Sequence, residues 1–316
     1  MIAECLPLLE CPVCATDGKA KVKLTIQKNQ FCCSSNHAFA ILNGIAMFSQ
    51  KKDGLFEDSQ FVNCYVESHY RDLITPSVEK NANAKKEDHT DFYSLPLHEN
   101  YYEDAVALLL EDCPKPFSAL DLGCSVGRCS VALARSASVV VGVDPSLLQI
   151  QTANEILKTK NISVYVGQSK ASYPGSEGVR ISVPFDAPEN VEFLVADDRT
   201  LPFREGAFDV ICCSAVIDCT EDPEHFIQTL ARLTHTGSRV FVSTPFEWLE
   251  KDTPKKNWLG SGAYGTVKGK PEAALAELMA RHGFRLLREK NLRWATTVHS
   301  RKYIVWSVYA GVFERL

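Results

Sequence analysis

The segment Asp121-Leu122-Gly123-Cys124-Ser125-Val126-Gly127 joins a carboxylate to a pair of glycines at a spacing suited to a nucleotide-like ligand. Glycine reaches backbone conformations closed to other residues and lets a ligand approach bare main chain, while a following helix start offers free N–H groups. Asp144 follows at the end of the next apolar run, where a carboxylate can accept both hydroxyls of a ribose. The loop lacks the Gly-x-Gly-x-x-Gly pattern, which argues against a dinucleotide. Two further acids, Asp197 and Asp198, stand in Val195-Ala196-Asp197-Asp198-Arg199-Thr200-Leu201-Pro202-Phe203, just ahead of Phe208-Asp209-Val210-Ile211.

A second constellation lies near the start of the chain. Cys11-Pro12-Val13-Cys14 is a knuckle able to present two thiolates to one metal, and Cys33-Ser34-Ser35-Asn36-His37 offers a second pair. Four sulfur and nitrogen ligands closing a tetrahedral shell are what structural zinc requires. Cys32 competes with Cys33, although the C-x3-H spacing favours Cys33. A third group follows two later strands: Ser214-Ala215-Val216-Ile217-Asp218-Cys219, and the tryptophan-bearing run from Ser243-Thr244-Pro245-Phe246-Glu247-Trp248 to Asn257-Trp258-Leu259-Gly260. Aromatic and charged residues at the carboxyl ends of strands suggest a pocket wall.

The elements that must position these residues are legible from periodicity. Asn100 with Glu103 forms a capping pattern ahead of Ala105–Leu110. Strands are expected at 117–122, 139–143, 191–196, 208–214 and 239–244, with helices at 126–136, from Pro145, at 223–233 and at 271–282. Two final strands near 286–294 and 303–313 would add an antiparallel edge. Strands alternating with helices give an α/β fold, a Rossmann-like doubly wound, mostly parallel, seven-stranded sheet with a small N-terminal zinc-ribbon domain. The expected organisation is a ribbon over 1–50, a polar, irregular linker or lid over 51–99, and the main domain over 100–316. A stretch rich in Gly, Ser and Pro at 162–190 reads as an inserted loop or hairpin, and 80–91 as a segment that orders with ligand.

With 316 residues and 45% apolar residues, the chain can bury a sizeable core. No apolar run is long enough for a membrane span and no secretory signal is evident, so the expected location is cytoplasmic, away from membranes. The twelve cysteines are then expected as reduced thiols plus a metal site. A formal net charge of −5 disfavours a nucleic-acid partner, whose phosphates call for a basic face.

The ordered motifs from Asp121 to Ile211 resemble those of class I S-adenosylmethionine-dependent methyltransferases over most of residues 100–316. The resemblance implies that Asp121, Gly123, Cys124 and Gly127 hold the methionine end of the cofactor, that Asp144 binds ribose, and that Asp197 or Asp198 contacts adenine, with Ser214 nearby. Ser125 stands where many members have a middle glycine. The ribbon resembles small zinc-ribbon modules attached to methyltransferases, implying Zn2+ on Cys11, Cys14, Cys33 and His37 and a surface for a protein partner.

The tryptophan-bearing run, the Asp-Leu-Gly-Cys-x-Val-Gly-Arg form of the loop, His69-Tyr70 and Ser300-Arg301-Lys302 resemble the methyltransferase domain of ovothiol biosynthesis. That resemblance implies N-methylation of an imidazole ring nitrogen in a thiolated histidine, a small-molecule partner. Asp218 would hydrogen-bond the ring and fix its tautomer. Trp248 and Trp258 would stack on it, Arg301 or Lys302 would hold the carboxylate, and Tyr70 and Asn257 complete the substrate-binding set. Two other classes remain open: a zinc-ribbon ribosomal RNA guanine methyltransferase, and a non-catalytic binding module on the same fold.

Overall fold

The computed structural model describes residues 5–16, 22–49, 57–76, 100–115, 117–166, 178–299 and 302–316. The expected lid at 80–91 lies outside them. The chain opens with a short helix, α1 (Pro12–Thr16), and four small strands: β1 (Leu24–Gln27), β2 (Gln30–Cys33), β3 (Ala38–Leu42) and β4 (Ile45–Met47). Helices α2 (Ser59–His69) and α3 (Tyr101–Leu110) follow. Asp58 caps α2 by accepting the Phe61 amide at 2.9 Å, and Asn100 caps α3 by accepting that of Glu103 at 3.4 Å. The segment expected to be irregular therefore contains an anchored helix, whose Val62 and Val66 enter an apolar cluster.

The alternating part runs β5 (Ser118–Leu122), α4 (Arg128–Ala134), β6 (Val139–Asp144), α5 (Leu147–Thr159), then β7 (Asn161–Val166) and β8 (Val179–Pro184). Next come β9 (Val191–Val195), β10 (Phe208–Ser214), α6 (Pro223–Leu233), β11 (Thr234–Thr244) and α7 (Pro271–Arg281). The chain closes with β12 (Phe284–His299) and β13 (Lys302–Arg315). Pro145 does not open α5; Ser146 caps it instead, its hydroxyl accepting the Gln149 amide at 3.2 Å. Pro223 does open α6, behind an Asp222 cap that accepts two amides. The inserted stretch forms a separate antiparallel hairpin, β7 with β8.

The main sheet is larger than the seven strands expected. Among the described residues, its eleven strands lie in the order β1-β2-β3-β4-β9-β6-β5-β10-β11-β13-β12, parallel from β4 through β11 and antiparallel at both ends. The four added strands come from the N-terminal module, because β4 pairs in parallel with β9, the strand that would otherwise be an exposed edge. Packing follows the pairing: Leu9, Cys11, Phe31 and Phe48 share one apolar cluster with Leu201, Phe203 and Phe208.

At the other edge β13 pairs with β11 only from Tyr309 to Glu314, while its earlier residues pair with β12 alone. The β12–β13 arm therefore projects past the carboxyl end of β11, the side on which open α/β sheets bind ligands. Among the described residues, no helix is long and apolar enough to cross a membrane.

Candidate active site

The Asp121–Gly127 turn lies at the carboxyl ends of β5 and β6. Gly123 and Cys124 both donate their amides to the Val143 carbonyl, at 2.8 and 3.0 Å. Gly123 has φ +77° and Gly127 φ +83°. A Cβ on Gly123 would meet Val216 at 2.4 Å, and one on Gly127 would meet Phe193 at 2.5 Å. These glycines therefore serve the packing of the loop on its own protein as well as its conformation. Ser125 takes φ +51°, in the left-handed region that favours glycine, and its amide donates to Asp144 Oδ2 at 3.0 Å. The Cys124 side chain is buried beneath the turn.

Two polar atoms of this region have no partner. Asp121, 1% exposed, accepts Ser130 Oγ at 2.6 Å through Oδ2 and leaves Oδ1 unpartnered. Burial pushes its carboxyl up to about 7. The Ser125 hydroxyl is likewise buried and unpartnered. Asp144 accepts the amides of Ser125 and Ser146. Orphaned hydrogen-bonding atoms and a carboxylate on one left-handed turn fit a polar ligand such as S-adenosylmethionine. Asp197 closes its own turn by accepting Arg199 N and Thr200 Oγ1, with Asp198 beside it, partly exposed.

Tyr70 lies beneath this turn rather than in an open pocket. It is 1% exposed, donates its hydroxyl to the Val126 carbonyl at 3.0 Å and lies against the Arg128 guanidinium. Arg128 is fully buried and ion-paired with Asp72 at 2.8 Å and Glu103 at 2.7 Å, which raises its pKa further. The structure thus gives Tyr70 the role of supporting the loop.

One residue earlier, on another face of the helix, His69 meets a different environment. Its ring lies 5.0 Å from that of Tyr65, 4.8 Å from Tyr102 and 5.8 Å from Trp294 on the β12 arm. It is 6% exposed, neither ring nitrogen has a partner, and the Trp294 indole nitrogen is also buried and unpartnered. Buried polar atoms left without a hydrogen bond cost about 1–3 kcal/mol each. Burial, aided by nearby Arg128, lowers the His69 pKa to about 3 and keeps the ring neutral. His69, Arg71, Asp72, Tyr101, Tyr102 and Trp294 line a narrow cleft. Tyr101 ties it to the sheet, its hydroxyl bonding Ser214 Oγ at 2.7 Å and Ser243 Oγ at 2.6 Å, at the carboxyl ends of β10 and β11. In the sequence His69-Tyr70 stands out as a motif, but only Tyr70 is placed in the substrate-binding set, and Trp294 is not singled out. The dipeptide itself was the signal, but only the helix register separates its two faces.

The remaining residues are dispersed. Asp218 is 4% exposed; its Oδ2 accepts the Glu247 amide at 3.1 Å, Oδ1 is unpartnered, and burial raises its pKa. Trp258 donates its indole N–H to Thr253 O, and Asn257 its amide to Glu221 O, so both are engaged in tying down the loop. Trp248 packs on the main apolar cluster. Lys302 is exposed at the tip of the β12–β13 arm, and Arg301 lies outside the described residues.

In the N-terminal module, Cys11, Cys14 and Cys33 place their sulfurs 3.5, 3.4 and 3.5 Å from His37 Nδ1, with Cys14 and Cys33 3.9 Å apart. A tetrahedron with metal–sulfur bonds of about 2.3 Å has edges of roughly 3.7 Å, so the four atoms match a zinc shell. Cys33, rather than Cys32, points into the cluster.

Residues 97–289 match the family described as "Methyltransferase domain". Norajmaline N-methyltransferase of Rauvolfia serpentina is 25% identical over 129 residues, 40% of this chain and 36% of that protein. Ubiquinone biosynthesis O-methyltransferase of Caulobacter vibrioides is 30% identical over 125 residues, 40% of this chain and 39% of that one. The chain thus spans less than half the length of either relative. Among solved structures, magnesium protoporphyrin IX methyltransferase from Synechocystis with bound SAH is similar at 20% identity and TM-score 0.42, covering 70% of this chain and 84% of that one.

Proposed function

This chain belongs to the methyltransferase-domain family, and from that premise we propose that it is an S-adenosylmethionine-dependent N-methyltransferase of a small thiolated histidine, acting at an imidazole ring nitrogen. When bound, the cofactor supplies an electrophilic methyl group. Asp121, Ser125 and the Cys124 region would hold its methionine end, Asp144 its ribose, and Asp197 or Asp198 its adenine, with Ser214 nearby. The chain's own residues do the positioning: Tyr70 and Arg128 hold the turn from beneath, and Tyr101 fixes the strand ends facing the acceptor. Asp218 and Trp248 would close the acceptor side, with Asn257 and Trp258 bracing their loop.

The observation that carries the acceptor class is the narrow aromatic cleft around His69, Tyr102 and Trp294. Its aromatic walls suit a flat ring on which positive charge develops, and its lining sets the Asp72 carboxylate beside the neighbouring Arg71 cation. Such a cleft favours a small heteroaromatic molecule over a nucleic acid, and a net charge of −5 points the same way. We read the four-ligand cluster as structural Zn2+, since four protein ligands leave no open position for chemistry.

The test is incubation of zinc-loaded protein with S-adenosylmethionine and either 5-thiohistidine or 5-histidylcysteine, read by mass spectrometry. A product heavier by one methylene unit, with the methyl on a ring nitrogen, is expected. Methyl transfer to ribosomal RNA instead would overturn the acceptor assignment. Calorimetry showing no binding of S-adenosylmethionine would overturn the enzyme assignment itself.

A further inference from the structure

We propose that His69 and Trp294 form the hydrogen-bonding pair of the acceptor subsite, His69 receiving the ring N–H of a neutral imidazole and Trp294 donating to the thiolate or carboxylate that the ring carries. The inference rests on the methyltransferase reading above and names the residues that would select its substrate.

The two groups are complementary to such a ligand and have no other partner. His69 is more than nine-tenths buried with both ring nitrogens unpartnered, and the Trp294 indole N–H is buried and unpartnered beside it. They come from distant parts of the chain, the end of α2 and the projecting β12 arm, and their ring centroids are 5.8 Å apart. Buried polar atoms in native proteins are otherwise almost always bonded, so a pair of orphans converging on one cleft marks a place for a ligand. The neighbouring hydroxyl of Tyr101 is, by contrast, fully used by Ser214 and Ser243.

The chemistry follows from which nitrogen is engaged. A neutral imidazole has one N–H and one lone pair. If its N–H is held by His69, the other nitrogen keeps its lone pair free for the methyl group. The new N–CH3 bond forms as the sulfonium C–S bond breaks, with the bonding pair staying on sulfur. The product imidazolium retains its N–H against His69, among the rings of Tyr101, Tyr102 and Trp294, until that proton passes to water. A neutral His69 suits this task, since an imidazolium there could not accept the N–H and would repel the sulfonium.

The test uses the full zinc-loaded chain with S-adenosylhomocysteine bound, and 5-thiohistidine as the probe in calorimetry. His69→Phe is expected to weaken probe binding by about tenfold or more, the loss of one buried hydrogen bond, with S-adenosylhomocysteine affinity unchanged. His69→Gln, which keeps an acceptor atom, should recover part of it, and Trp294→Phe should also weaken binding. Thermal melting checks that each variant is folded. In the wild-type protein, 15N signals of the His69 ring should shift on adding the probe. Unchanged probe affinity in folded His69→Phe, or failure of the wild-type complex to bind the probe, overturns the proposal. The two readings fail separately. Methylation of 5-thiohistidine at equal efficiency by wild type and His69→Phe would sink the subsite and leave the function. Binding at His69 without methylation would sink the acceptor assignment and leave the subsite.

Discussion

In the N-terminal module the polar chemistry closes on itself, whereas at the carboxyl edge of the sheet it is left open. Cys11, Cys14, Cys33 and His37 bring their four ligand atoms within 4.8 Å of one another and offer one another as nearest neighbours. At the other site Asp121 Oδ1, the Ser125 hydroxyl, both His69 nitrogens and the Trp294 N–H are buried with nothing to bond. On the proposed reading, the first arrangement is completed by an ion and serves architecture, and the second by ligands that come and go.

The comparison breaks first if the closed site proves dispensable. Removal of the metal, by chelation or by Cys14→Ser, is expected to unfold the module, since structural zinc supplies apparent binding energies of about 10–16 kcal/mol. Hydrogen exchange should then accelerate throughout β1–β4. The effect should reach the adenine side of the other site, because the Glu10 amide donates to Pro202 O at 2.8 Å and the Arg204 amide to Leu8 O at 2.9 Å, flanking the turn that follows Asp197. S-adenosylmethionine affinity should fall as well. Unchanged exchange in β1–β4 after metal removal would mean that the cluster is not a structural site.

A second test concerns what supports the open site. Arg128 has no exposed surface and balances its charge on Asp72 and Glu103. Asp72→Ala leaves that charge half-compensated, and a loss of about 3 kcal/mol in denaturant unfolding is expected. A loss below about 0.5 kcal/mol would show that Glu103 suffices.

The contrast between the sites also explains what the sequence could reveal. Cys11, Cys14, Cys33 and His37 sit on one knuckle and one short C-x3-H run, so local spacing already grouped the residues that the structure brings together. The alternation of strands and helices was legible for the same reason, and with it a mostly parallel sheet carrying an antiparallel edge. The joining of the ribbon to the sheet was not legible: β4 is only three residues long, and its pairing with β9 depends on a partner nearly 150 residues away. Nor was the His69 cleft, which needs α2, α3 and the β12 arm to meet. Trp294 reads as one more aromatic in a strand until the length of that arm is known. Tyr70 and His69 differ by one position, and only three-dimensional packing distinguishes a loop support from a cleft residue.

A smaller effect separates His69 from an ordinary core residue. Its folded pKa of about 3 lies below the usual 6.5, so between those values the unfolded chain takes up a proton that the folded chain refuses. Stability from this group is present above pH 6.5 and is lost as pH falls, at up to about 1.4 kcal/mol per unit. Asp121 acts in the opposite sense, since its raised value of about 7 makes the folded chain hold a proton that the unfolded chain releases, costing stability as pH rises from about 4 to 7. Comparing wild type with His69→Phe at pH 7 and pH 5.5 isolates the first term. The variant should gain roughly 1 kcal/mol relative to wild type at the lower pH. Parallel pH profiles would mean that His69 is solvated and the cleft is wet.

Tyr101 provides the finest test, because it stands beside the open site yet is built like the closed one. Its hydroxyl is buried between two serine oxygens, and Ser243 Oγ also receives the Ala215 amide at 3.2 Å, at a residue held at φ +53°. Tyr101→Phe removes the hydroxyl while keeping the ring that faces Trp294 at 5.8 Å. The expected loss is about 1–2 kcal/mol of folding stability, two modest hydrogen bonds, with probe binding at the His69 cleft retained. Should probe affinity or turnover instead collapse with stability barely altered, the Tyr101 hydroxyl would itself touch the acceptor. The boundary between supporting and ligand-binding groups would then move one side chain deeper, from Trp294 and His69 to the carboxyl ends of β10 and β11.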